Sequence, residues 1–529
     1  MGAGQAPLTW DQSTQEGRSW AVLRASALSW RVPVVPCVTL VLVLGVLAYW
    51  TTTTGLQCDE LLVLRAVQLG PIDGLLAPGS SHPPLTRWLL MPVQYFAVTA
   101  SPASDWLVRL PSLLAAALTI PVWWAVVRRL IPDNVTAQLL LPAMALNVCW
   151  LALGYQCAPY AWLSLFASAH ALTWFWLMER PSFGTGACFV LTGVATAWSH
   201  FYGVNLLIAD QLVWAVLLWR RRAVWRLWLA TTAATFFAVL PLVPIALYYL
   251  RLERLYGLLE IRNFGSYFRW ASDAIFCKTT LNQMRWTAPL FLLWYAAAGA
   301  LVWRALRAGR TGGGADRNAL PTACLIATGI FLAGFPAAQL HSLLTGKALW
   351  ERYAVLGFWM HWPLLALVAY SFWGQRAARW VAACALAVTT AGFAVGNGLV
   401  PEWTFDYRPV IAHLDRHTRP GDAFFAQDVD FWQDEANFDR LWFQRYAPRP
   451  LPVITGPAMG RFQIGRDGLP LQVADQSVQR IWVYSNLLDE ATLKSMRPAG
   501  WKLAELHTFG RSYPLALFVR NEGSHTSRL

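Results

Sequence analysis

The chain has 529 residues, 56% of them hydrophobic and 13% charged, with 31 tryptophans and a mean hydropathy of +0.38. A soluble domain carries roughly twice that charge, which excludes a water-soluble globular protein. The net charge of +13 lies in short Lys/Arg clusters between apolar runs, not in a solvated basic stripe, so nucleic-acid binding is excluded too.

Apolar runs of about 17–25 residues recur up to position 400, the length that crosses a bilayer. Residues 1–31 are polar and carry Arg18, Arg24 and Arg31, so they are expected on the cytoplasmic side. The first run, Val32–Trp50, lacks a small-residue cleavage site near its end and reads as a retained span. Positions 51–105 then form a first outer loop. It opens with Cys58-Asp59-Glu60 and later holds His82-Pro83-Pro84. Leu85–Val98 is short and contains Pro92. Counting it as a span would put Arg128-Arg129 outside, so it is expected to lie along the interface.

Charge parity carries the reading onward. Trp106–Val127, Val135–Leu153, Ala161–Met178, Gly186–Trp198, Val204–Trp219 and Leu227–Leu250 are expected to alternate across the membrane. The loop Arg251–Trp286 contains Arg262 and Arg269. It is basic on the outer side, so it is either a long loop that escapes the charge rule or a surface for an anion. Ala288–Trp303, Leu320–Leu340, Ala354–Phe372 and Val381–Val400 complete about eleven spans. Ionisable residues inside them are few, with His170 and His361 the main exceptions.

At Pro401 the composition turns mixed and charged. Helical patterns at Arg408–Thr418 and Asp489–Met496 alternate with strand-like runs AFFAQ, LPVIT, RIWVYS and LALFVR. The expectation is an α-helical polytopic membrane protein with surface helices in its first outer loop and a C-terminal α/β domain, residues 401–529, outside the membrane. Cys58, Cys157 and Cys277 fall in outer loops, and no cysteine spacing suggests a metal site.

Residues able to do chemistry collect at the outer face. Asp59 and Glu60 lie beside an apolar wall, where a carboxylate gains basicity by losing water. The bland reading is a helix N-terminal acid. Arg109-Leu110-Pro111-Ser112 opens one span, and Glu351-Arg352-Tyr353, with Lys347 before it, opens another. Grouped cations at this level suit a lipid-linked phosphate. Snorkelling is the simpler role for any one of them. His82 reads as part of a turn and His200 as an interface residue.

The order of these features resembles the GT-C glycosyltransferases that use polyprenyl-phosphate sugars, such as protein mannosyltransferases and lipid A aminoarabinose transferases. An acidic pair in the first outer loop is followed by H-P-P-L, R-L-P-S, GYQCAPYAW and a late R-Y. The likeness is good over Trp50–Trp174 and loose beyond. It implies a transmembrane glycosyltransferase domain over residues 32–400 in a bacterial inner membrane. Asp59 would be the base and Glu60 its support. Arg109, Arg352, Lys347, Arg262 and Arg269 would meet the donor phosphate. His82, Tyr155, Tyr160, His200 and Tyr353 would line the substrate cavity. The donor would be a polyprenyl-phosphate-linked sugar, and the acceptor a lipid, glycan or protein. No cofactor is implied, although a divalent metal is compatible. The relatives that transfer aminoarabinose continue D-E-x-R-Y, whereas this chain reads D-E-L-L-V with Arg65 one turn later, which disfavours that sugar. Two other classes stay open: a transporter or flippase of a lipid-linked substrate, and a non-catalytic membrane protein with an outer sensing domain.

Overall fold

In the computed structural model, the residues described are 34–56, 58–70, 105–220, 225–247, 296–304, 326–330, 356–395, 408–426, 453–455, 478–484, 490–495, 501–509 and 513–521, with a few single positions between them. The chain is mostly helical, with a small sheet near its C-terminal end. Helix α1 is Val34–Thr53, α2 Cys58–Gln68 and α3 Asp105–Leu130. Next come α4 Asn134–Ala145, α5 Val148–Gly154, α6 Tyr160–Glu179 and α7 Phe183–Ser199. Then follow α8 Val204–Arg220, α9 Trp225–Val239, α10 His361–Trp373 and α11 Gln375–Val395.

Among the described residues, five helices are long and apolar enough to cross a membrane. With no water in the bilayer core, the helix satisfies its own backbone, so β-branched runs such as that of α1 stay helical. The expected span Val135–Leu153 is instead two helices bent by 58°. Its cause is local. Pro142 lies in the last turn of α4, and the Asn147 side chain accepts from the Trp150 amide at 3.2 Å, starting a new helix. Gly374, at φ +84°, makes the turn from α10 to α11. Arg376 and Arg379 therefore belong to the first turns of α11.

Tryptophans fill the bundle core, and the N–H groups of two of them find hydroxyls there. Trp123 donates to Ser168 at 2.7 Å and Trp150 to Ser164 at 3.2 Å. His170 lies at the middle of α6, with Nε2 2.8 Å from Asp210 of α8, and Trp174 donates to the same carboxylate at 2.7 Å. Asp210 is thus a further ionisable residue inside a span. At the bundle end opposite α2, Asp133 caps α4 and accepts two hydrogen bonds of 2.9 Å from Arg379, with Gln375 as a further donor. Those bonds, led by Arg379, hold the Asp133 carboxyl well below the usual carboxylate range.

The C-terminal unit begins with α12, Arg408–His417. Its strands are β1 Asp422–Ala426, β2 Val453–Thr455, β3 Arg480–Tyr484, β4 Trp501–Phe509 and β5 Tyr513–Arg520, and α13 is Glu490–Ser495. The sheet runs β2-β1-β3-β5-β4. β1 is parallel to β2 and β3, and β5 is antiparallel to β3 and β4. Four strands match the runs read from the sequence. β4, an edge strand with Lys502, Glu505 and His507, carries no such apolar signal.

This unit packs directly on α2. Leu56, Leu61, Val63 and Leu64 share one buried cluster with Val410, Ile411 and Leu414 of α12 and Phe424, Trp482, Leu515 and Leu517 of the sheet. Val108 and Cys157 join it from the bundle. Arg408 adds a hydrogen bond to the Thr53 carbonyl.

Candidate active site

The site is built where α1 ends. Its last turn is a run of threonines whose hydroxyls bond back to the helix, Thr51 to Leu47 O at 2.7 Å and Thr54 to Trp50 O at 2.7 Å. Gly55 then releases the chain into α2. A helix end leaves carbonyls without intrahelical donors. Arg109, in the second turn of α3, supplies them. Its Nη1 donates to Thr54 O at 2.9 Å and its Nη2 to Gly55 O at 2.7 Å. A cation at a helix C-terminus also complements the helix dipole.

The same guanidinium grips Glu60. Nε donates to Oε1 at 2.8 Å and Nη2 to Oε2 at 2.7 Å, with both side chains fully buried. The Cys157 amide donates to Glu60 Oε1 at 2.7 Å. Tyr155 lies under the guanidinium, 4.8 Å from ring centroid to Cζ, and meets Trp50 edge-on at 5.8 Å. One carboxylate therefore ties α1, α2, α3 and the turn before α6 together. A two-pronged Arg–carboxylate pair fixes orientation as well as distance.

Arg109 was expected at a lipid phosphate. The structure gives it other partners: its guanidinium is buried and shared between Glu60 and the end of α1. The physical reason is that a buried carboxylate needs a buried cation, and Arg109 is the one that reaches it. The backbone of Asp59 lies in the first turn of α2, where an acid is favoured by the helix dipole. Its side chain is outside the described residues.

Tyr160 and His200 come together with ring centroids 5.9 Å apart. His200 Nδ1 accepts from the Tyr202 amide at 3.1 Å, which caps the short turn between α7 and α8. Trp88, in the stretch expected at the interface, lies 5.7 Å from Trp198. That stretch is helical at Leu85, Trp88, Leu89, Met91, Pro92 and Tyr95. Glu60, Arg109 and Tyr155 thus form one buried cluster, and Tyr160 and His200 form a second pair. His82, Arg262, Arg269, Lys347, Arg352 and Tyr353 lie outside the described residues. Cys157 is buried. Its amide contact with Glu60 had no signal in the sequence, since a backbone donor has no residue type.

No protein-family model and no curated protein matches the sequence. Solved structures are similar to it. ArnT from Cupriavidus metallidurans in the apo state aligns over 95% of this chain and 98% of its own, at 12% identity and a TM-score of 0.44. The same protein bound to undecaprenyl phosphate aligns over 96% and 98%, at 13% identity and a TM-score of 0.41. The archaeal oligosaccharyltransferase AglB from Archaeoglobus fulgidus, in complex with an inhibitory peptide and a dolichol-phosphate, aligns over 86% and 70%, at 13% identity and a TM-score of 0.47.

Proposed function

We propose that the chain is an inverting membrane glycosyltransferase, with Asp59 as general base on the outer face. It moves a sugar from a polyprenyl-phosphate donor to a lipid, glycan or protein acceptor. The observation that carries this is the clamp on Glu60. It fixes the first turn of α2 at the bundle end and occupies the second acid of the pair, which leaves Asp59 for chemistry. Successive positions of a helix are about 100° apart, so position 59 is on a different face of α2 from position 60.

In this reading the acceptor hydroxyl gives its proton to the Asp59 carboxylate as its oxygen bonds to the anomeric carbon. The bond from that carbon to the phosphate oxygen breaks, and polyprenyl phosphate leaves with the electron pair. A leaving dianion needs cations. With Arg109 committed to Glu60, the candidates for that work are Arg352, Lys347, Arg262 and Arg269. The transporter reading would rely on His170 and Asp210 within the spans. Their hydrogen bonds to Trp174 and Phe189 O support a structural role instead.

The test is sugar transfer in membranes, with undecaprenyl- and dolichol-phosphate carriers as the first donors tried. Asp59→Asn keeps shape but cannot take a proton, and losing a general base costs about 10²–10⁴ in rate. Glu60→Gln is expected to lower the amount of folded protein, and to cost less per folded molecule. Transfer by Asp59→Asn at the parent rate refutes the assignment.

A further inference from the structure

The C-terminal unit brings together a second set of side chains, independent of the acidic helix. His413 of α12 and Glu505 and His507 of β4 offer ligand atoms that all lie within 4.8 Å of one another. Glu505 and His507 are two apart on one strand and so share a face. The His507 Nε2 to Glu505 Oε2 distance is 3.2 Å. Two ligands of one tetrahedral zinc ion, each about 2.0–2.1 Å from the metal, are about 3.3 Å apart.

His413 points to the same conclusion from inside. It is 8% exposed, wedged against Trp482 and Phe509 with ring centroids 5.6 and 5.4 Å away. Its Nε2 finds no hydrogen-bond partner among the described residues. A buried polar nitrogen left unmet costs free energy, and native structures rarely tolerate it. The rings of His413 and His507 are 4.2 Å apart. His417 stacks on His413 at 4.0 Å. The His417 Nδ1 lies 2.8 Å from the His413 carbonyl, which can only accept, so this contact holds the His417 ring against His413.

We infer that His413, Glu505 and His507 bind a zinc-type divalent cation that pins α12 to the edge strand of the sheet. Borderline-soft ions with imidazole and carboxylate ligands fit this donor set, whereas calcium and magnesium want oxygen throughout. Three protein ligands leave a coordination position for water. The cation would join residues distant in sequence and brace an edge strand. It would also stiffen the helix whose Val410, Ile411 and Leu414 pack on α2.

The probe is zinc alone, added to the purified full chain in detergent after chelator treatment, with bound metal counted by elemental analysis after desalting. The parent is expected to keep one equivalent more than His507→Ala. Glu505→Gln, an exposed change that keeps side-chain shape, is expected to weaken zinc binding at least about tenfold. Cobalt in place of zinc should give the intense visible bands of a four-coordinate ion in the parent and not in His507→Ala. Equal metal content in the parent and His507→Ala overturns the proposal, because bound metal then resides on other residues. So does zinc affinity unchanged in Glu505→Gln. If the parent takes up no metal, His507 and Glu505 form only a hydrogen bond, and the proposal fails.

Discussion

Replacing Arg109 by methionine keeps an unbranched apolar stem and removes every donor. In the parent, that guanidinium forks Glu60 at 2.7–2.8 Å and holds the carbonyls of Thr54 and Gly55. Both charges are fully buried. Removing one partner of such a pair costs about 3–5 kcal/mol, because the other charge stays behind without compensation. Glu60→Gln in the same chain removes that stranded charge. The coupling between the two sites should therefore return about 1–3 kcal/mol, making the double variant more stable than Arg109→Met alone. The assay is thermal unfolding in detergent by intrinsic fluorescence, for which 31 tryptophans give signal. Trp50, edge-on to Tyr155, reports close to the change. Midpoints are compared at one scan rate, since unfolding of large proteins is often irreversible. Sugar transfer by Arg109→Met should fall with folded protein, as expected of a side chain that holds α2 through Glu60. An Arg109→Met protein that melts with the parent refutes the clamp. A double variant no better than Arg109→Met refutes the account of why the clamp matters.

Two further outcomes follow from the bundle ends. Asp133→Asn should destabilise the opposite end by about 1–3 kcal/mol, since it weakens a hydrogen-bonded charge pair whose Arg379 side is half open to water. Asp133 has its folded pKa depressed, so its contribution is complete above the unfolded value of 3.8 and is lost only as pH falls below it. Melting from pH 5 to pH 8 should therefore leave the parent-to-variant gap unchanged, and a gap that closes across that window contradicts the pair. The C-terminal unit is expected on the outer side. Asp415→Cys on the exposed face of α12 should react with a membrane-impermeant thiol reagent from outside in intact cells, and labelling only from within would overturn the orientation.

The acidic pair was legible because two adjacent carboxylates after an apolar run are rare. The partner of Glu60 was not. Arg109 looked like one more outer cation, and nothing local says that it reaches 49 positions back. The break between α4 and α5 was hidden inside a largely apolar run, where Pro142 and Asn147 are the local hints of a helix end and a new start. Asp210 passed unnoticed because a single acid in α8 reads as a flaw in the span until His170 and Trp174 close on it. β4 escaped for a different reason: an edge strand has one ladder to satisfy and tolerates Lys502, Glu505 and His507 along its length. The docking of α12 on α2 rests on leucines and valines that any amphipathic helix would carry.

The Glu60 clamp also sets an order for biogenesis. During synthesis Glu60 emerges well ahead of the groups that will hold it. Arg109 follows 49 positions later and the Cys157 amide 97 positions later. At roughly 5–20 residues per second, the acid waits roughly 2–10 s for its cation and about twice as long for the amide. Through that interval a charged Glu60 keeps the nascent α2 in water, since burying it alone would cost several kcal/mol. The loop can settle against the bilayer only after α3 has been inserted. Its last contact forms once the chain has crossed again through α4 and α5.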